Sequence, residues 1–433
     1  MWGGESTRFG GMSEQEGRAG RSEEASKDSE EPLRAEDLQG YHFFRKARCL
    51  LEGLQPCADH PNRQLHYDEY AALVLFYFFN PLLTSLRGLQ AASDLPKVQK
   101  SLGIRRMSLG SMSESVHVFD PELLRKVFEG MAARAPNRPD DPQLQDLRQV
   151  LTVVDGTMLR ALPRMTWALW RGEGERAAKA HLQLEVLKDT AVHVELTEAV
   201  RSEVEVLKGN LKAGRLYVMD RGYRDMGLLQ AIHDADSSFV VRLHENAAYE
   251  VIQENELTRE GGQSGVLWDG MVRLGSTPRL REKLAVPVRL VRVMARPPEP
   301  RGLGRVAKRV SSKKTFREPP GTAHELIIVT DRVDLPSDVI ALIYRRRWRV
   351  ELFFRMLKCL LGCTHLLSDS LEGVTIQLYC ALIAALLLAE WTGVRPTKRV
   401  YEMVGLYLQG WAEPEDVARV VAKELAKQQA KKG

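Results

Sequence analysis

The stretch Tyr344–Lys358, YRRRWRVELFFRMLK, sets a single carboxylate, Glu351, among cations. At about 100° per residue, Tyr344, Arg347, Glu351 and Lys358 fall at about 0°, 300°, 340° and 320° on a helical wheel, inside an arc of about 60°, with Arg355 bordering it at about 20°. Leu352, Phe353, Met356, Leu357 and Leu360 occupy about 80° to 220°, so the spacing predicts a helix with an apolar back to bury and a charged front. One acid ringed by bases suits the holding of a metal ion beside a phosphate. The bland alternative is a solvated face whose Arg347–Glu351 pair contributes roughly a few tenths of a kcal/mol. Arg346 and Arg349 point toward the apolar side, so the pattern is imperfect at the helix start.

The 433 residues suffice for two or three domains, and 44% hydrophobic with 27% charged content is that of an ordinary globular protein. The net charge is +5, but residues 1–40 hold ten acids and five bases, so the remainder carries +10. That excess points to an anionic partner. Cys49, Cys57, Cys359, Cys363 and Cys380 form no zinc-ligand spacing and no disulfide framework, which fits a reducing cytoplasm. The polar N-terminus lacks the apolar core of a signal peptide. The apolar run Ile376–Ala389 is shorter than the roughly 20 residues of a membrane span and reads as a buried core helix. No membrane association is expected, and the cytoplasm is the predicted location.

Residues 1–40 are too polar to offset the entropy of ordering and read as a disordered leader. Residues 41–135 read as a helical N-terminal domain. Its helices run through Phe43–Leu51, through Tyr70–Phe79 up to Pro81, and from Pro121 with Asp120 as N-cap. A polar loop, SLGIRRMSLGSMSES, carries Arg105 and Arg106 and is compatible with DNA binding. Residues 136–149 form a proline-rich linker.

Strand periodicity then takes over. VLTVV at 150–154 ends in Asp155, with Gly156 permitting a turn, and His181–Leu187 and Ala191–Leu196 form a hairpin through Lys188–Thr190. A helix over Ser202–Leu211 precedes the strand Leu216–Met219, which ends in Asp220, and Phe239–Leu243 is a further strand. Residues 244–324 interrupt this order as a β-rich insertion, and from Arg279 to Arg317 there are thirteen bases against two acids, a density that predicts phosphate binding. Glu325–Thr330 resumes the core, helices follow, and residues 393–433 complete the chain with C-terminal helices. His181, His193 and His244, in or beside strands, are assigned no role.

Two aspartates at the ends of neighbouring strands and a glutamate on a helix crossing the sheet can converge from distant positions. Mg²⁺ takes one or two carboxylates with water and substrate phosphate, and two ions about 3.5–4 Å apart can serve the attacking and leaving oxygens of a phosphoryl displacement. An aspartate at a strand end, taken alone, is more often a turn residue or helix cap than a metal ligand, and only the joint occurrence of the three acids favours the metal site.

With these residues in view, the chain resembles the DDE transposases of the insertion-sequence-four family. Their signature, Y-(2)-R-(3)-E-(6)-K, is matched by Tyr344, Arg347, Glu351 and Lys358. The family's second acid sits in an Asp-x-Gly-Tyr context, matched by Asp220, Gly222 and Tyr223, and its first follows an apolar strand, as Asp155 does in VVDGT. The resemblance spans about residues 150–390. It implies an α/β, ribonuclease-H-like mixed-sheet catalytic core over 150–243 and 325–392, with the β-rich insertion between.

It further implies that Asp155, Asp220 and Glu351 are the catalytic and metal-binding residues, with Mg²⁺ as cofactor and Mn²⁺ as a substitute. Tyr344, Arg347, Lys358 and Tyr223 would contact DNA, with Arg347 and Lys358 acting as clamps rather than as partners of Glu351. Trp268 would stack on a flipped base, or else serve as an ordinary aromatic of a β core. The implied activity is cleavage of double-stranded DNA at the inverted repeats of the element and strand transfer into target DNA, by a homodimer at least during synapsis. A nuclease of the same fold without strand transfer and a catalytically inactive DNA-binding regulator are the alternatives.

Overall fold

The computed structural model describes residues 51, 54, 65–80, 82–138, 141–160, 164–171, 175–295, 324–360, 366–394 and 397–429. The expected leader, most of the Phe43–Leu51 segment, and the glycine- and lysine-rich part of the insertion lie outside them.

A ten-stranded mixed sheet organises the fold. Its strands are β1 (Val150–Arg160), β2 (Leu169–Arg171), β3 (Glu175–Glu185), β4 (Thr190–Glu198), β5 (Arg215–Met219), β6 (Ser238–Leu243), β7 (Tyr249–Glu254), β8 (Val266–Leu274), β9 (Val288–Ala295) and β10 (His324–Thr330). The spatial order is β2-β3-β1-β5-β6-β10-β9-β8-β7, with β4 paired to β3. Only β1, β5 and β6 run parallel to one another; β3 joins β1, and β10 joins β6, antiparallel. The described strands of the insertion therefore build no separate sheet, because β9 pairs with β10 and extends the same one.

Side-chain alternation sorts each central strand between two cores. Leu151, Val153, Leu216, Val218 and Val240 lie in the first, whereas Val154, Tyr217, Met219, Phe239 and Val241 lie in the second. The first core is covered by helices from both ends of the chain. Among them are α1 (Tyr67–Phe78), α2 (Leu86–Ser93), α3 (Pro96–Leu102), α4 (Leu109–Ser115) and α5 (Pro121–Arg134). The second is covered by α6 (Glu203–Gly209) and α7 (Met226–Asp234). Short helices α8 (Arg259–Gln263) and α9 (Pro278–Arg281) decorate the insertion.

After β10 come α10 (Ser337–Arg345), α11 (Trp348–Leu360), α12 (Leu371–Thr392), α13 (Lys398–Leu408) and α14 (Pro414–Gln429). Helix α12 contains the expected core segment. It is the one described helix long and apolar enough to cross a membrane, and 78% of its most apolar stretch is buried within the protein. Asp120 caps α5 as expected, its Oδ1 accepting from the Glu122 N–H at 2.9 Å.

Four expectations change. Asp155 does not end its strand: β1 runs on to Arg160, and Gly156 pairs with His181 instead of turning, because β3 continues alongside after β5 has stopped. The loop at 101–115 contains α4, whose N-terminus is capped by Ser108. Its arginines are engaged internally, Arg105 with Glu69 at 3.0 Å and Arg106 with Asp94 at 2.8 Å.

Tyr344–Lys358 is likewise not one helix. The amides of Arg347, Arg349 and Val350 bond three residues back, a tightened turn that separates α10 from α11 and shifts the phase of the wheel. Val350, Phe354, Met356 and Leu357 are consequently buried while Leu352 is exposed. Arg349, buried, is satisfied by the Val186 carbonyl at 2.9 Å and Asp189 at 3.5 Å.

Candidate active site

Strand register brings the two aspartates together. In the parallel β1–β5 pair Val153 stands opposite Val218, so two residues further on Asp155 and Asp220 come level. Both continue the alternation of Leu151, Val153, Leu216 and Val218 and so project to the first-core side, the side that α11 covers. Asp155 Oδ1 accepts from its neighbour Gly156 N–H at 2.8 Å, and Asp220 Oδ1 accepts from Gly222 N–H at 2.7 Å. Asp220 thus caps the 3-10 turn Arg221–Tyr223, the bland role foreseen for it, while it faces the other acid.

Burial, with Asp220 and Glu203 nearby, pushes the Asp155 carboxyl up to about 6, against the pull of the Gly156 amide and Arg347. An acid held that far up is one whose negative charge is under-compensated by the protein.

Arg347 joins the aspartates to the helix. Its guanidinium lies 2.8 Å from Glu351 Oε1 and 3.8 Å from Asp155 Oδ2. This corrects the expectation that Arg347 is not a partner of Glu351. The four-residue spacing across the tight turn lets the pair form, and Glu351 is drawn to the cation instead of to the aspartates. Among the described residues no three His, Cys, Asp or Glu side chains come close enough together to hold a metal ion. Asp155 and Asp220 nevertheless fit a hard divalent cation, which needs only one or two carboxylates besides water and phosphate. Glu351 fits it only after release from Arg347.

Tyr344, on α10, is 7% exposed; burial raises its hydroxyl pKa, which Arg347 and Arg242 pull down and Asp220 pushes up. Lys358 lies two turns beyond Glu351 on α11, about 10 Å along the axis. Tyr223 is only 1% exposed and so offers no surface to DNA, because the turn after Asp220 folds its ring into the second core. Its hydroxyl faces Glu203, and burial, then Glu203, Asp155 and Asp220, drive its pKa well up.

Trp268 is not at the acids. Its strand β8 is five places from β1, about 24 Å across the sheet at about 4.8 Å per strand. The ring lies over Gly270, where an added Cβ would sit 2.5 Å from it, and packs half-buried on the second core. The basic run is also largely spoken for where it is described. Arg281 pairs with Glu250, Arg289 with Asp269, and Arg292 with Glu325.

Glu203 was missed from sequence. It reaches from the N-terminus of α6 to Gly156, where any Cβ would stand 2.8 Å from its Oε1, and is bound by Lys179 at 3.2 Å. The glycine after Asp155, read as a turn residue, was the available signal: it marks a close approach.

Three comparisons with known proteins bear on this site. A family model described as "Transposase DDE domain" matches residues 146–387, more than half of the chain. A Sinorhizobium fredii protein named as transposase y4zB is 25% identical over 276 residues, 63% of this chain and 70% of that protein. A Geobacillus stearothermophilus protein named as the transposase for insertion sequence element IS5377 is 23% identical over 314 residues, 72% of this chain and 74% of that one. A solved piggyBac transposase synaptic complex with hairpin DNA superposes over 88% of this chain and 76% of that one, at 8% identity and a TM-score of 0.38, which carries no argument. The matched span covers Asp155, Asp220 and Glu351 alike: the chain belongs to the DDE transposase family.

Proposed function

We propose that the protein is a DNA transposase of the insertion-sequence-four branch, with a ribonuclease-H-like core, that cleaves DNA at the ends of its own element and joins the freed 3′ hydroxyl to target DNA. The observation that carries this reading is the register that brings Asp155 and Asp220 level on adjacent parallel strands, with Arg347 bridging Asp155 to Glu351. A Mg²⁺ ion bound by Asp155 and Asp220 would supply the positive charge that phosphodiester attack needs.

The chain's own residues define the rest. Arg347 guards the acids until substrate arrives, when a DNA phosphate competes for its planar fork and frees Glu351 to join the aspartates. Tyr344 and Lys358 contact phosphates on either side of that point. Work on two ends at once calls for a homodimer during synapsis.

The test is purified protein with Mg²⁺ and a labelled duplex carrying the inverted repeat that flanks the gene. Joined products support the proposal. Nicks without joining indicate a nuclease, and a mobility shift without cleavage a DNA-binding regulator; either would overturn it.

A further inference from the structure

The row of side chains that aligns the acids does not stop at Asp220. In the parallel β5–β6 pair Met219 stands opposite Val241, so the next position sets Asp220 level with Arg242. Asp155, Asp220 and Arg242 are therefore successive stations across three parallel strands, about 4.8 Å apart, on one face. Beyond Asp220 a cleft of about 300 Å³ opens, lined by Arg221, Arg242, Leu243, His244, Glu245 and Asn246. Neither Arg221 nor Arg242 has an ion-pair partner among the described residues, so both guanidinium charges remain open to a ligand at the cleft. The cleft lies at the carboxyl ends of parallel strands, where open α/β sheets bind their ligands.

We propose that this cleft is a phosphate-binding subsite, in which Arg221 and Arg242 each neutralise one backbone phosphate of the DNA strand adjoining the phosphodiester held at Asp155 and Asp220. The inference rests on the transposase reading and adds to it a site and its ligand chemistry. Arg221, next to Asp220 in the chain, and Arg242, one strand spacing from Asp220, give the strand a fixed path away from the reacting bond, and His244 and Asn246 add polar donors along it. Glu245, exposed at the rim, opposes the same phosphates.

The test is the salt dependence of binding to a fluorescent 30-base-pair duplex of mixed sequence, in the full chain, between about 50 and 200 mM salt. Each phosphate left without its arginine makes the slope of log K against log salt shallower by about 1, so Arg221→Ala with Arg242→Ala should flatten it by about 2. Arg221→Lys with Arg242→Lys should restore the slope, and Glu245→Gln should tighten binding. Thermal melting of the alanine pair should match wild type, since no ion pair is broken. Wild type that binds while the alanine pair keeps its slope and affinity overturns the subsite alone. Wild type that binds neither this duplex nor the inverted-repeat duplex, and cuts neither, overturns the transposase reading and the subsite with it.

Discussion

The two halves of the sheet treat charge in opposite ways. In the half built from β7–β10, two arginines of β9 are matched within the fold: Arg289 is buried against Asp269, with Nε 2.8 Å from Oδ1, and Arg292 Nη2 lies 2.9 Å from Glu325 on the next strand. In the half built from β1, β5 and β6, two aspartates stand level and Asp155 is left with its carboxyl pushed up to about 6. Matched charge there links neighbouring strands; here Arg347, 3.8 Å from Asp155, only partly compensates the acids, as the proposed cation site requires. Eight of the thirteen bases counted between Arg279 and Arg317 lie outside the described residues, so the internal pairs of Arg281, Arg289 and Arg292 bear only on the described part of that run.

The contrast can be broken in several places. The largest effect is expected at the acids, where Glu351→Gln should lower DNA cleavage by about a thousandfold with an unchanged melt; cleavage at the wild-type rate would remove Glu351 from the chemistry. Next, Arg289→Ala leaves the buried Asp269 unpaired and should destabilise the protein by about 3–5 kcal/mol in urea unfolding, with a loss under 1 kcal/mol showing that the pair is not structural.

Asp155→Asn should do the opposite in metal-free protein. It removes an ionised carboxylate held about two pKa units above its usual value and should add about 3 kcal/mol or less. The sign follows from linkage: a folded-state pKa raised to about 6 makes the ionised acid a cost that is full above pH 6 and gone below about pH 4. The advantage of Asn should fade across that window, and an advantage independent of pH would contradict the assignment. Smallest, Glu325→Gln disrupts a partly exposed pair and should cost less than about 1 kcal/mol, read from the same unfolding curves.

Much of this was legible in the chain. Periodicity placed nearly all the core strands, since fully buried runs such as LYVM before Asp220 have few other readings, and the signature spacing located Glu351. What escaped notice depended on pairing. That β1 continues past Asp155 is decided by β3, eleven residues drawn alongside it from beyond a further short strand. The Arg347–Glu351 pair was legible as an i,i+4 pair, whereas the tight turn that divides α10 from α11 is not something a uniform helical wheel can represent. Glu203 announces itself only through the space that Gly156 leaves for it. Trp268 carries no local mark of how many strands separate it from the acids.

One paired assay tests the division most directly: cleavage of the labelled end duplex with Mg²⁺ by Asp220→Asn and by Arg292→Gln. If unmatched charge is the chemistry and matched charge the scaffold, Asp220→Asn abolishes cleavage while Arg292→Gln stays within about threefold of wild type. Cleavage that survives in Asp220→Asn, or that is lost in a folded Arg292→Gln, would contradict it.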